Sequence, residues 1–201
     1  MPPPSRWGEP QPGPLLRLLA RARSLFGTDT SASAPGLPAL PLALRHGELA
    51  ERYLAADRSE DHERAGVAAS AAMERAASAE EWWAADLWGH RALWHYERAG
   101  MELAATRAAR LIGEVRTSAG DPASARRYYA EAISEARDIG AEREEGLAAL
   151  GMGRAAMQLS DVTTARQLAG IAVDLLERCG APADEVAAAR ELRGVEKEVG
   201  G

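Results

Sequence analysis

Apolar and small side chains recur three, four and seven positions apart from residue 42 onward. This spacing places them on one face of an α-helix. Alanine, glutamate and arginine dominate these stretches, and β-branched residues are few, which also favours helix. The pattern predicts no β-sheet and eight helices, at about 42–58, 61–77, 82–98, 102–118, 122–138, 142–158, 162–178 and 184–198.

The chain repeats itself with a period of 40 residues. Residues 78–100, 118–140 and 158–180 align without a gap, and each block closes on a glycine that suits a left-handed helix end. Alanines in register allow neighbouring helices to approach closely, and Asp121 and Asp161 are expected N-caps. One such unit cannot bury its apolar stripe alone, so we expect neighbouring units to stack. The alanines in register are Ala85, Ala125 and Ala165, followed by Ala92, Ala132 and Ala172.

The repeat resembles the tetratricopeptide repeat family. Its motif appears here as Ile112-Gly113, Ala125, Tyr129 and Ala132, and the resemblance covers about residues 61–199. The period of 40 is similar to that of longer-helix members, because the usual repeat has about 34 residues. The resemblance implies a right-handed superhelix whose concave surface is lined by the first helix of each pair and binds peptide segments.

The expected fold is therefore an all-α, right-handed superhelical solenoid of antiparallel helix hairpins, with about three repeats and a capping helix at 184–198. The repeat domain spans 61–201, and an N-terminal helix within 42–60 is expected to pack on it. Residues 1–41 are rich in proline, glycine and serine and are expected to be flexible. Within them, 15–26 is weakly amphipathic and basic. It could dock on a partner or a membrane surface, or cap the domain.

The concave face implied by the resemblance carries four arginines and two carboxylates among its side chains. Such a surface suits an acidic or carboxylate-bearing peptide. The alternative is that these arginines pair with nearby glutamates and need no ligand. The candidate groove residues are Glu74, Arg107, Arg110, Glu114, Leu147, Leu150, Arg154 and Arg190, together with Val67, Ser70 and Ala187.

A second candidate surface is aromatic. Trp83, Leu87, His90 and Trp94 share one helix face, whereas the matching positions of the next two repeats are small or polar. Something apolar should cover this face. The expected cover is helix 42–58, and the alternative is a second protomer or a partner protein.

Composition and charge argue against several functional classes. A net charge of −6 argues against a nucleic-acid binder, and no stretch is apolar enough to be an integral membrane segment. The histidines lack metal-ligand spacing, and the single cysteine, Cys179, is expected to be a small buried side chain. We therefore expect a cytoplasmic, non-enzymatic module without a cofactor or metal, whose partner is a protein or peptide. The alternative is a module that self-associates, for example as a homodimer, through the aromatic face.

Overall fold

The computed structural model describes residues 39–45 and 47–194, and these residues form helices and turns without a β-strand. A 3-10 turn at Leu42–Leu44 precedes eight α-helices, most of them 17 residues long. The helices of this part of the chain are α1 (Glu48–Arg58), α2 (His62–Ser78), α3 (Trp82–Arg98), α4 (Glu102–Ser118), α5 (Pro122–Asp138), α6 (Glu142–Gln158), α7 (Val162–Arg178) and α8 (Ala183–Gly194).

Consecutive helices pack against each other throughout residues 41–194. The pairs α2–α3, α4–α5 and α6–α7 are the three hairpins, with α1 packed on α2 and α8 packed on α7. First helices of neighbouring hairpins also touch, because α4 contacts α6 and α6 contacts α8. The all-α solenoid of helix hairpins expected from the repeat is confirmed.

The turns between helices are built on a period of 20 residues, half the sequence repeat. Each contains one residue in the left-handed region, with φ between 56° and 82°. The backbone N–H that follows closes the helix end, as where Met101 N donates to Tyr96 O at 2.9 Å. Glycine relieves the left-handed strain at only four of these turns. The seven positions are Glu60, Glu80, Gly100, Gly120, Gly140, Ser160 and Gly180.

Two of the expected helix caps are confirmed. The Asp121 carboxylate accepts a hydrogen bond from Ser124 N at 3.1 Å, and Asp161 accepts one from Thr164 N at 3.1 Å. Asp61 caps α2 in the same way through Arg64 N, which the sequence analysis did not single out. Each cap satisfies a backbone N–H that has no partner within the helix.

The core is thin and depends on small residues. Alanines of the repeat motif, including Ala85, Ala125 and Ala165, are fully buried. Their small size lets the helices approach until single aromatic rings fill the remaining space. Tyr129 is the clearest case, since its ring lies against Gly113 and Gly151 where no Cβ would fit. Burial raises the pKa of Tyr129 to about 12, and its hydroxyl lies 3.2 Å from Thr117 Oγ1.

The N-terminal end of the domain differs from the expectation, and parts of both expected ends lie outside the described residues. The helix expected over 42–58 is interrupted, because Gly47 has φ 97° and α1 begins only at Glu48. A residue with that φ cannot continue an α-helix. The capping helix is described to Gly194, so the end expected at 198 lies outside the described residues. The helix expected at 15–26 and nearly all of the 1–41 segment also lie outside them.

Candidate partner-binding surfaces

The first-helix face runs along α2, α4, α6 and α8, and its side chains fall into two classes. One class is exposed or half-buried at equivalent positions of successive repeats. The other class, Arg110 and Leu150, is buried. Leu150 is part of the core between α6, α7 and α8, so the structure removes it from the expected groove surface. The members that remain accessible are Val67, Glu74, Arg107, Glu114, Leu147, Arg154, Ala187 and Arg190, with Leu103 beside them.

The two central arginines of this face are joined in an ion-pair network. Arg110 Nε lies 2.8 Å from Glu144 Oε2, and Arg107 Nη2 lies 3.0 Å from Glu144 Oε1. Arg110 also holds Glu114 through a 2.5 Å contact. Burial alone would raise the pKa of Glu144, but the two arginines hold it below its usual range. The network therefore ties α4 to α6, and Glu144, absent from the sequence-based set, is its centre.

The outer members of the predicted set lie apart from this network. Arg190 is exposed and pairs with Glu177 on α7 through a 2.5 Å contact. Glu74 and Arg154 are exposed on α2 and α6. Ser70 is half-buried, and its hydroxyl donates to the Tyr96 hydroxyl at 3.0 Å. These residues share one side of the repeat stack without converging on a single point.

A surface cavity of about 420 Å³ opens where the start of α4 meets the first turn of α6 and the end of α7. Leu103 on α4 is 48% exposed at its edge. Cys179 is exposed there, which corrects the expectation of a buried side chain. The thiol follows the last residue of α7, where the helix ends and leaves it uncovered. The cavity, called the α4–α6 cavity below, is lined by Leu103, Arg107, Gly140, Ala141, Glu142, Arg143, Glu144 and Cys179.

The aromatic face of α3 is covered at one end and open at the other. Trp94 is only 6% exposed, because the His62 ring packs edge-on against it at 5.4 Å and Arg98 lies over it at 5.0 Å. Trp83 is 59% exposed, which contradicts the expectation that both indoles are covered. The cover from α1 comes through Tyr53, which packs on Trp88 and His95, further along α3 than Trp83.

His90, in the middle of this face, is bound to the next hairpin. Its Nε2 lies 2.8 Å from the Tyr128 hydroxyl, and its Nδ1 lies 2.7 Å from Asp86 O. Arg116 pairs with Asp86 through two contacts of 2.8 and 3.0 Å and lies 4.9 Å from the Tyr128 ring centre. Burial lowers the pKa of His90. These contacts join α3, α4 and α5, so His90 has a structural partner without any outside ligand.

A buried polar cluster lies between α1, α2 and α3. The Nδ1 atoms of His62 and His95 are 3.1 Å apart, and His95 Nε2 lies 3.2 Å from the Tyr53 hydroxyl and 3.6 Å from Asp57 Oδ1. Arg91 hydrogen-bonds Tyr53 and interacts with Asp57. Burial lowers the pKa of His95 to about 4 and raises that of Tyr53 to about 12. The five residues come from three helices and share no local motif, so sequence spacing gave no signal for them.

Carboxylates also gather between α3, α4 and α5. Burial, with Glu135 nearby, raises the pKa of Glu97 to about 7, and the same causes raise that of Glu131 to about 7. Burial raises the pKa of Glu135 as well, although Thr106 Oγ1 donates to it at 3.4 Å. Like charges that share a half-buried region favour retention of protons.

Among residues 39–45 and 47–194, no group of three histidine, cysteine or acidic side chains is placed to hold a metal ion. Within that same part of the chain, no helix is long and apolar enough to cross a bilayer. No protein-family model and no curated protein matches the chain.

Proposed function

We propose that this chain is a non-enzymatic interaction module that binds a segment of a partner protein along its first-helix face. One observation carries the proposal: exposed or half-buried side chains recur at equivalent positions of successive first helices. Val67, Arg107, Leu147 and Ala187 are 40 residues apart, and α4 contacts α6 while α6 contacts α8. A repeated surface of this kind presents a long strip to an extended ligand.

The ion pairs change the chemistry expected of that ligand. Arg107 and Arg110 are both engaged by Glu144, so an acidic segment would compete with a buried carboxylate for them. A buried carboxylate that loses its partner is costly. Arg154 is exposed on the same face, as are the apolar side chains of Val67 and Leu103. We therefore propose a partner segment of mixed character in which apolar contacts dominate the binding.

Site-specific photo-crosslinking tests this proposal. A benzophenone side chain would replace Val67 or Ala187, the exposed ends of the strip, in cells that make the protein. Matched controls carry it at Ala123 or Gln167, which are exposed on the second helices α5 and α7. We expect the first two positions to trap the same partner and the controls to trap none. Equal adducts from all four positions, or none from the first two, would contradict the proposal.

A second candidate is self-association through the open end of the aromatic face. It is favoured by Trp83, which is 59% exposed on α3. Tryptophan left in water at this exposure is typical of an interface anchor. If the chain dimerises there, Trp83→Ala should reduce the mass measured by light scattering to that of one chain. The control Ile171→Ala, an exposed apolar residue on α7, should leave the mass unchanged.

A further inference from the structure

The α4–α6 cavity lies on the first-helix face, yet its recognition chemistry differs from the rest of that face. Its volume of about 420 Å³ falls within the roughly 300–1,000 Å³ of ligand pockets, and it opens toward solvent. Two of its lining residues, Leu103 and Arg107, lie one helical turn apart on α4. An extended segment lying on this face would pass over its opening.

Every charged side chain that lines the cavity is paired within the fold. Arg107 pairs with Glu144 at 3.0 Å, Glu142 pairs with Arg178 at 2.9 Å, and Arg143 pairs with Glu185. These pairs tie α6 to α4, α7 and α8. A charge from a partner would therefore gain little without breaking a pair that the fold already uses.

The groups left without such a role are apolar or small. Leu103 is 48% exposed, and Ala141 and the Cys179 thiol lie on the same cavity. The positions that correspond to Leu103 in the flanking repeats are Glu63 and Arg143, so leucine here departs from a polar surface position. Exposed apolar groups beside polar groups that are already paired are typical of an interface anchor site.

We infer that the α4–α6 cavity is an anchor site for one uncharged aliphatic or aromatic side chain of the partner segment. The inference rests on the proposed function for the source of that side chain. The site itself is defined by Leu103 and Ala141, and its ion-paired rim excludes charged side chains. Acidic or basic side chains from the same segment would lie outside it.

Disulfide tethering tests the site without a partner. Cys179 is the chain's single cysteine and is exposed on the cavity, so small disulfides report on this place alone. The full chain is equilibrated with cysteamine disulfides that differ only in their cap, which is isovaleryl, succinyl or β-alanyl. Intact mass then gives the adduct that survives rising concentrations of 2-mercaptoethanol. We expect the isovaleryl adduct to withstand about tenfold more reductant than the two charged adducts.

Variants separate the cavity from general surface stickiness. Leu103→Asp should remove the isovaleryl preference, and Leu103→Ser should reduce it. The control Leu159→Asp changes an exposed leucine at the end of α6, outside the cavity, and should preserve the preference. Equal retention of the three caps would overturn the inference. Preference for the succinyl cap would also overturn it, because the arginines would then form an anion site.

Two further readouts keep the outcomes distinct. If no cap adds to Cys179, the Leu103 methyl resonances are compared during titration with free N-isobutylacetamide and with acetate. Absence of a selective shift with the amide would overturn the inference. Positive tethering without photo-crosslinks would contradict the proposed function but would support the α4–α6 cavity as an anchor site. Photo-crosslinks without tethering would keep the first-helix face and remove the anchor site.

Discussion

The helices α3 and α7 occupy equivalent places in the repeat, but one equivalent position is buried in α3 and exposed in α7. Arg91 on α3 is 1% exposed, whereas Ile171, 80 residues later in the same register, is 47% exposed. The difference is the neighbour: Tyr53 and Asp57 of α1 interact with Arg91, whereas Ile171 is exposed to solvent. Burial at a repeat position is thus set by the adjacent element rather than by residue type.

The polar groups on the covered side of α3 interact with one another. His95 is bonded by His62 and Tyr53, and Arg91 interacts with Tyr53 and Asp57. Glu131 on α5, equivalent to Arg91, is half-buried and represents an intermediate case. Substitutions on these helices test whether the neighbouring element controls stability at each position.

Among these substitutions, loss of the buried Arg91 should reduce the free energy of unfolding most. Arg91→Met leaves the nearly buried Asp57 without its cation, and breaking a buried pair typically costs about 3–5 kcal/mol. Urea unfolding measures the change in the free energy of unfolding. The control Arg126→Met, exposed on α5, should change it by less than about 0.5 kcal/mol. Equal effects of the two substitutions would show that the cover from α1 does not matter.

Acidification should lower the free energy of unfolding through His95, which is buried on α3. Its pKa is about 4 in the folded chain, below the usual 6.5, so the unfolded chain binds more protons between these values. The contribution of His95 to the free energy of unfolding is therefore complete above pH 6.5. It decreases by about 2–3 kcal/mol as the pH falls toward 4. His95→Gln keeps hydrogen-bonding groups but cannot titrate. Urea unfolding at pH 7 and pH 4 should show a smaller loss for this variant, and parallel losses would refute the assignment.

The next substitutions compare a filled core with an open helix face. At Gly151 an added Cβ would lie 2.4 Å from the Tyr129 ring, whereas at Gly170 on α7 nothing lies within 4 Å. Overpacking should make Gly151→Ala destabilising by about 1–3 kcal/mol. Gly170→Ala should stabilise by about 0.5–1 kcal/mol, because alanine favours the helix. Thermal and urea unfolding give both values, and a shared sign would contradict the distinction.

A rise in pH should destabilise the folded chain through Glu131, which is half-buried on α5. The pKa of Glu131 is about 7 in the folded chain and lies above its usual 4.5, so the folded chain binds the extra proton. The contribution of Glu131 to the free energy of unfolding is complete below pH 4.5 and is lost as the pH rises through 7. After solvent screening this loss is about 1 kcal/mol. Glu131→Gln should flatten this dependence between pH 5 and 8. Asp174→Asn, exposed on α7, is the control that should leave it unchanged.

The smallest expected effect concerns the turns that all repeats share. Ser160 has φ 61°, whereas Gly140 and Gly180 fill the neighbouring turns at φ 70° and 68°. Ser160→Gly should therefore stabilise by about 0.5 kcal/mol, as left-handed strain is relieved. Ser118→Gly, at the last residue of α4, should destabilise by a similar amount because glycine disfavours helix. Identical effects at both serines would contradict the left-handed turn as the cause.

The repeat architecture could be predicted because its signals are local. Helical spacing, the caps Asp121 and Asp161 and the closing glycines each act within a few residues, and the structure contains them as expected. The helix bounds agree to within about a residue from α2 to α7. The interruption at Gly47 was missed because a lone glycine is also compatible with a helix end or interior.

The surfaces were predicted less well because they depend on contacts between distant segments. Spacing placed Trp83 and Trp94 on one face, but it could not show that Tyr53 and His62 stop short of Trp83. It likewise grouped Arg107 with Arg110 without showing that Glu144 joins them from the next repeat. The 40-residue register was the available signal for that pairing, since it makes α4 and α6 neighbours.

The helices, their turns and their stacking order can be derived from the amino-acid sequence, because they follow from backbone preferences and an apolar stripe repeated every 40 residues. The burial of equivalent positions, the pairing of the arginines and the place of the α4–α6 cavity depend on tertiary packing. These properties depend on what lies within a few ångströms across a helix interface. Arg91 and Ile171 show the reason most directly, since the same repeat position lies under α1 in one helix and in solvent in the other.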